Sequence, residues 1–211
     1  MNTNAEYGFI HRFVASSGST STLLLLHGTG GDENDLLPVG RQLLPGAALL
    51  SPRGRVLENG MPRFFRRFGE GVFDLQDLQL QTEALARFVE KAAQMYGFDV
   101  GRLIAVGYSN GANIAASLML TEPNLLTSAV LFRPMVPFVP DSPRNLRNVS
   151  ALLAGGRRDP IVPAEQTLEL GKMFEVAGAH VSIHWHNGGH ELGADDLAAA
   201  KEWLEKWRPP K

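Results

Sequence analysis

Residues 103–120 read LIAVGYSNGANIAASLML: a short apolar run, a Gly-x-Ser-x-Gly turn, and a second run of small and apolar residues. The first run has the length of a buried β-strand, and the second extends far enough to form a helix. Glycines two residues before and after Ser109 permit a tight strand-turn-helix crossing that strains the serine backbone. This context predicts a nucleophilic serine. The alternative is a glycine-rich turn in which Ser109 only caps the helix.

The same alternation of apolar strands and helical segments continues on both sides of this unit. Glycine, proline, asparagine and aspartate mark the junctions, a pattern typical of repeated strand-helix units. Most strands are apolar throughout, as in a sheet covered on both faces. The predicted strands are Gly8–Ala15, Thr22–Leu26, Ala47–Ser51, Leu103–Tyr108, Ser128–Phe132, Val149–Ala154 and Val181–His186.

Apolar residues spaced three and four apart predict the helices between these strands. The clearest helix covers Leu78–Tyr96 and is followed by Gly97; two further stripes end at Gly178 and near Trp207, and helices are expected after Asn34 and Asn110. No repeat or linker divides the chain. We therefore predict one α/β domain over residues 1–211, with a mostly parallel sheet of about seven strands, helices on both faces and no cap domain.

Composition excludes several classes of protein. The 211 residues are 44% hydrophobic and carry a formal net charge of −2, so a basic surface for nucleic acid is not expected. The absence of cysteine removes disulfides, thiolate metal sites and cysteine nucleophiles. The longest aliphatic run, Leu23–Leu26, is far too short to span a bilayer, and the N-terminus has no signal-peptide pattern. These features predict a soluble cytoplasmic protein without membrane partners.

A serine nucleophile needs a base and an acid that orients it. Asp159 follows the strand Val149–Ala154 in an Asp-Pro turn, and His190 follows the strand Val181–His186 in the loop NGGH. The order Ser109, Asp159, His190 is that of an α/β-hydrolase triad. The alternatives are a structural Asp-Pro turn and an exposed loop histidine. Rival acids, which we interpret as helix-start residues, are Glu191, Asp195 and Asp196.

The other histidines have simpler interpretations. His184 and His186 share one face of an alternating strand and are expected to be exposed on an edge strand. They could form a metal pair, but the sequence supplies no third ligand, so no metal site and no cofactor are predicted. His11 and His180 are read as incidental, and His27 as structural.

Two further groups of residues are candidates around the serine. The glycine-rich turn HGTGG after Thr22–Leu26 predicts an oxyanion hole built from the amides of Thr29 and Asn110. The segment Arg53–Gly71 fits neither helix nor strand period, so it is a functional loop or a disordered excursion. The predicted pocket walls are Phe64, Phe65, Phe68, Met135 and Phe138; the alternative is that the aromatic residues only pack the loop onto the domain. Arg66 and Arg67 are expected to face solvent or the cleft mouth, where they could favour a carboxylate or phenolic substrate.

At these residues the chain resembles the phospholipase/carboxylesterase family of small α/β-hydrolases. The resemblance runs through nearly the whole chain and rests on LLLLHGTGGDENDL, SPRG, RFFRRFGEG, GYSNGA, FRPMVPF, GGRRDPIVP and NGGHEL. It implies that Ser109, Asp159 and His190 are the triad and that Thr29 and Asn110 form the oxyanion hole. Relatives acting on acyl-proteins usually carry a bulky aliphatic residue where Thr29 stands and glutamine where Asn110 stands. The RFFRRF and FRPMVP segments look instead like a bacterial subset linked to esters of aromatic or quinone-derived compounds.

The expected function is hydrolysis of small carboxylic esters through a Ser-His-Asp acyl-enzyme mechanism, without a metal ion or other cofactor. The expected partner is a small-molecule ester; a homodimer is left open. Two alternatives remain: a lactone or thioester hydrolase using the same triad, and a non-catalytic ligand-binding protein with this fold.

Overall fold

The computed structural model describes residues 8–142 and 144–207; residues 1–7, 143 and 208–211 of the predicted domain lie outside this range. The strands are β1 (His11–Val14), β2 (Thr22–Leu26), β3 (Ala48–Pro52), β4 (Val56–Glu58), β5 (Met61–Arg63), β6 (Arg67–Gly69), β7 (Val72–Phe73), β8 (Leu103–Tyr108), β9 (Ser128–Phe132), β10 (Ser150–Gly156) and β11 (His180–His186). The helices are α1 (Leu37–Leu43), α2 (Leu75–Tyr96), α3 (Asn110–Thr121), α4 (Ala164–Val176) and α5 (Ala194–Lys206).

Seven of these strands form one sheet in the order β1-β3-β2-β8-β9-β10-β11. Only β1 pairs antiparallel, with β3, and the other pairs are parallel. The predicted mostly parallel α/β sheet of about seven strands is confirmed. No helix in the described ranges is long and apolar enough to cross a membrane.

Each central strand buries alternate residues in two separate cores. Leu24 and Leu26 of β2 belong to the core that includes residues of α2, α3 and α4, whereas Leu23 and Leu25 belong to the core on the opposite face, which includes residues of α1 and α5. Because successive strand side chains point to opposite faces, an apolar run fills both cores at once. This double coverage explains why the strands read as unbroken apolar segments.

Helix α2 shows how local sequence sets the element boundaries. The carboxylate of Asp74 accepts the N–H of Asp77 and caps the first turn. The helix therefore begins at Leu75, three residues before the predicted start at Leu78. The helix ends at Gly97, whose φ of 69° suits glycine.

The segment Arg53–Gly71 is neither an irregular loop nor disordered. It contains the hairpin β4-β5 and the start of the hairpin β6-β7, each paired antiparallel. Three-residue strands are too short to show a period in the sequence, so the pattern missed them. Its first hairpin, β4-β5, lies beside the turn that follows β2, where Gly30 N–H donates to the carbonyl of Pro62 at 2.9 Å.

Candidate active site

Ser109 lies on the turn between β8 and α3, in a backbone conformation that few non-glycine residues adopt. Its φ is 52° and its ψ is −116°, outside the ordinary regions for an L-residue. The Ser109 N–H donates to the carbonyl of Phe132 at the end of β9, at 2.9 Å. The strained turn is therefore tied to the neighbouring strand.

The two glycines of the Gly-x-Ser-x-Gly pattern are required by close backbone contacts. A Cβ atom on Gly107 would lie 2.6 Å from the carbonyl oxygen of Gly111, and one on Gly111 would collide with the carbonyl of Leu26. Only glycine allows the first turn of α3 to cross the ends of β2 and β8 this closely.

His190 bridges Ser109 and Asp159. Its Nε2 lies 2.9 Å from Ser109 Oγ, and its Nδ1 lies 2.8 Å from Asp159 Oδ2. The other carboxylate oxygen of Asp159 accepts the amides of Ile161 and Val162 at 2.8 and 3.0 Å, and its side chain is fully buried. A buried carboxylate favours a proton on Nδ1, which leaves Nε2 to accept the serine proton. The arrangement can therefore deprotonate the hydroxyl as it attacks an electrophile.

The rival acids have other partners. The Glu191 side chain is exposed and accepts the Gly189 N–H, Asp195 bonds His186, and Asp196 forms a buried ion pair with Arg133. None of these carboxylates is hydrogen-bonded to His190.

Thr29 and Asn110 lie on adjacent turns, because the strands that precede them, β2 and β8, are paired. The two turns approach so closely that a Cβ on Gly28 would lie 2.9 Å from the ring of Tyr108. The amides of Gly30 and Gly31 donate to protein carbonyls, whereas within the described ranges the Thr29 N–H has no hydrogen-bond acceptor. The Asn110 N–H opens α3, where the first amides lack intrahelical acceptors. Two free donors therefore lie beside the serine turn.

The segment Arg53–Gly71, called the hairpin segment below, holds both Thr29 and Asn110 by their side chains. The Phe64 N–H donates to Asn110 Oδ1 at 2.7 Å, and Arg63 donates to Thr29 Oγ1 at 2.9 Å. Arg63 is itself buried and paired with Glu58 at 3.1 Å. Sequence reasoning did not identify this supporting role of Arg63, because it depends on contacts between residues far apart in the chain.

The aromatic residues predicted as pocket walls have different surroundings. Phe64 and Phe65 are 1% and 0% exposed and belong to the core under α2 and α3, so they pack the segment onto the domain and offer no surface to a ligand. Phe68 is 78% exposed. Met135 is half-buried, and its amide donates to Asn113 Oδ1 one turn after Ser109.

Phe138 lines a groove of about 590 Å³ between α2, α3 and the segment after β9. Leu75, Leu78 and Ser117 also line this groove, and no member of the Ser-His-Asp set does. Ser117 lies eight residues after Ser109, which at about 1.5 Å of rise per residue places it roughly 12 Å from the serine turn along α3.

His184 and His186 lie on the edge strand β11, as predicted, but their side chains are half-buried under the start of α5 rather than exposed. His186 Nδ1 contacts Asp195 at 2.7 Å, and His186, Asp195 and Asp196 offer possible metal-ligand atoms within 4.8 Å of one another. This cluster contains only one histidine of the pair considered from the sequence, together with two aspartates. Asp196, however, is already bound in a two-pronged contact with Arg133. The metal-free expectation stays a prediction.

His27 has a structural environment. Its Nδ1 lies 2.7 Å from the carbonyl of Gly28, and its Nε2 accepts the Gly54 N–H at 2.9 Å. Burial lowers the pKa of His27 below its ordinary value. The neutral ring therefore connects the turn after β2 to the hairpin segment.

A mostly parallel sheet whose central strand leads into a strained serine turn, with a histidine and an aspartate on neighbouring strand ends, defines an α/β-hydrolase. The chain belongs to the phospholipase/carboxylesterase family, whose model matches residues 12–208. It is 46% identical over 188 residues to MhqD of Bacillus subtilis (strain 168), a protein that carries the name of a hydrolase, covering 89% of this chain and 94% of that one.

Two solved carboxylesterases share the fold. The Bacillus cereus enzyme superposes with a TM-score of 0.91 at 47% identity, over 92% of each chain. The Mesorhizobium loti enzyme has a TM-score of 0.92 at 30% identity, over 98% of this chain and 99% of that one. The family and these relatives support a hydrolase of the carboxylesterase type.

Proposed function

We propose that this carboxylesterase cleaves small carboxylic esters through an acyl-enzyme on Ser109. The observation that carries the proposal is the unbroken set of contacts from Ser109 Oγ through His190 to the buried carboxylate of Asp159, at 2.9 and 2.8 Å. A serine hydroxyl is a weak nucleophile until an adjacent base accepts its proton. The contacts supply that base and the acid that orients it.

Each step follows from these contacts. Ser109 Oγ bonds to the ester carbonyl carbon while its proton passes to His190 Nε2. The carbon-oxygen bond to the alcohol then breaks, and the alcohol leaves with the proton from His190. Water attacks the acyl carbon and gives a proton to His190. The bond between that carbon and Ser109 Oγ then breaks, Oγ takes the proton back from His190, and the carboxylic acid leaves. The amides of Thr29 and Asn110 donate to the oxyanion of both tetrahedral intermediates.

The surroundings of the triad favour a small substrate. The His190 side chain is 18% exposed, so part of the base is in contact with solvent. The groove beside Phe138 is lined by no triad residue, and its Ser117 lies roughly 12 Å along α3 from Ser109, so we expect short acyl groups not to occupy it. We infer that the substrate is a small ester held mainly by the turns around Ser109, and that no metal ion takes part.

The decisive experiment compares Ser109→Ala with Ser117→Ala in p-nitrophenyl acetate and butyrate hydrolysis, with a chelator present. Ser117 is a matched control because it lies on the same helix and its hydroxyl contacts Thr82 at 2.8 Å, away from the triad. We expect Ser109→Ala to lower kcat by about 10⁴-fold or more, and Ser117→Ala to retain activity.

Labelling separates the alternative functions. A fluorophosphonate should modify wild type and Ser117→Ala, but not Ser109→Ala. A wild-type protein that is folded, unlabelled and inactive on esters, thioesters and lactones would instead indicate a non-catalytic ligand-binding protein. Paired oxygen esters and thioesters of the same acyl group would reveal a thioesterase. Activity lost to the chelator and restored by zinc would contradict the metal-free mechanism.

A further inference from the structure

Arg133 is a fully buried arginine that the proposed chemistry does not use. It follows β9 directly, has 0% exposure, and adopts a φ of 55° in the left-handed region. Burying a guanidinium is costly unless its charge and its donors are all satisfied. The arrangement of its partners therefore indicates what the residue does.

The guanidinium of Arg133 holds the backbone on both sides of His190. Its Nε donates to the carbonyl of Gly189 at 3.1 Å, and its Nη2 donates to the carbonyl of Glu191 at 2.7 Å. Asp196 neutralises the charge through two hydrogen bonds of 3.0 and 2.6 Å.

Tyr108 holds the remaining carbonyl of this loop. Its hydroxyl donates to the carbonyl of His190 itself at 3.0 Å, and the two rings lie 5.5 Å apart. Burial raises the pKa of the Tyr108 phenol, so the group keeps its donor proton at neutral pH. All three carbonyls from 189 to 191 are thus fixed by side chains from other elements.

The same short segment also fixes the nucleophile. The carbonyl of Phe132 accepts the Ser109 N–H at 2.9 Å, and the Arg133 N–H donates to the carbonyl of Ala154 on β10 at 2.7 Å. Two consecutive residues therefore hold the turn that carries Ser109 and the loop that carries His190. A displacement of either one is transmitted to the distance between Oγ and Nε2.

We propose that Arg133 and Tyr108 are positioning residues that hold His190 in hydrogen-bond reach of Ser109. The inference rests on the proposed function, in which His190 is the base. The loop preceding His190 contains Gly188 and Gly189, which leave the backbone free unless something holds it. A misplacement of about 1 Å costs roughly 10²-fold in rate. Arginine suits this role because its planar fork reaches several acceptors in fixed directions, which lysine cannot do.

The test uses Arg133→Lys and Tyr108→Phe, with kcat, KM and the melting temperature measured for each. We expect kcat to fall by about 10- to 100-fold in Arg133→Lys and by about three- to tenfold in Tyr108→Phe, with KM within twofold of wild type. The rate of fluorophosphonate labelling at Ser109 should fall in parallel, because labelling needs the same base.

Two controls separate positioning from general destabilisation. Arg55→Lys removes a forked guanidinium that binds Gln81 and the carbonyl of Gly8, away from the triad, and should leave kcat unchanged. Phe88→Leu loosens the core beside Phe9 and His11, and should lower the melting temperature without lowering kcat.

Each positioning substitution is also combined with His190→Ala, and the residual activity of the double variant is measured. A purely structural role would not produce the result expected here. If Arg133 and Tyr108 act through His190, neither substitution lowers the residual activity of the His190→Ala protein further. A further loss equal to that seen in the wild-type background would overturn the proposal.

The outcomes are distinguishable from failure of the proposed function. If Ser109→Ala is inactive while both folded positioning variants keep wild-type kcat, the inference is wrong and the proposed function stands. If Arg133→Lys does not fold, Tyr108→Phe decides, because it removes one hydroxyl only. If Ser109→Ala stays active, the proposed function itself fails.

Discussion

Replacing Asp159 with asparagine tests the triad through the tautomer of His190. The carboxylate uses one oxygen for His190 and the other for the amides of Ile161 and Val162. An asparagine can turn its NH₂ towards the two amides, which leaves both N–H groups without an acceptor; Ile161 is exposed, but Val162 is buried, and an unpaired buried N–H costs about 1–3 kcal/mol. Turned the other way, it loses a single charge-assisted hydrogen bond to the ring. The second orientation should therefore prevail.

In that orientation the asparagine donates to Nδ1 of His190, so the ring proton must move to Nε2. Nε2 then cannot accept the proton of Ser109, and the base is lost. In triads of this kind the wrong tautomer costs about 10⁴-fold in kcat, or roughly 5 kcal/mol of barrier at 1.36 kcal/mol per factor of ten.

Steady-state hydrolysis of p-nitrophenyl butyrate at neutral pH measures this effect, with Glu191→Gln as the matched control. Glu191 is adjacent in sequence to His190 and also carries a carboxylate, but its side chain is exposed and bonds only local amides. We expect its loss to change kcat by less than a few-fold. If Asp159→Asn keeps a tenth of the wild-type rate, or Glu191→Gln is the more damaging change, the assignment of the acid is wrong.

Two further predictions concern pH and chain length. Burial lowers the pKa of His27 from its ordinary 6.5, so as the pH falls through 6.5 the ring takes up a proton in the unfolded chain before it does so in the folded protein. The free energy of unfolding should therefore fall with acidification, by at most about 1.4 kcal/mol per pH unit. Urea denaturation between pH 7.5 and 5 checks this, and His27→Gln, which keeps an acceptor for Gly54, should be less pH-dependent; an equal slope would contradict it. For acyl esters we expect kcat/KM to peak near butyrate and to fall by octanoate, and Met135→Ala to raise the octanoate-to-butyrate ratio by on the order of tenfold. An unchanged ratio would show that Met135 does not line the pocket. Phe138→Ala is the control, and it should leave the ratio unchanged because Phe138 lines the groove that no triad residue reaches.

The parts of the fold that could be predicted are those in which a short stretch of sequence satisfies a single physical requirement of the structure. Strand β2 was predicted with its observed bounds, Thr22–Leu26, because a strand covered on both faces must be apolar at every position. The serine turn was predictable because the crossing of β2, β8 and α3 leaves no room for a Cβ at Gly107 or Gly111. In both cases the residues that satisfy the requirement lie close together in the chain and form a recognisable pattern.

The parts that could not be predicted depend on contacts between distant residues. Phe64 and Phe65 were expected to line a pocket, but they lie between the two hairpins with their side chains in the core, where burial of the aromatic rings stabilises the fold. Arg133 stands in an unremarkable apolar stretch, and its role depends on Asp196, which lies 63 residues later. No periodicity or motif links two such positions.

The arginines of the hairpin segment also change what is expected of substrate binding. Arg67 pairs with Glu58 at 2.9 Å, and Arg66 pairs with Asp74 at 3.2 Å. Both were expected to face solvent or the cleft mouth, where a free guanidinium could attract an anionic substrate, but each has a carboxylate partner that offsets its charge. A substrate carboxylate would have to displace that partner, and the loss of the existing ion pair offsets most of the gain from binding the anion. Selectivity should therefore come from the fit of neutral groups around Ser109 rather than from attraction of an anion.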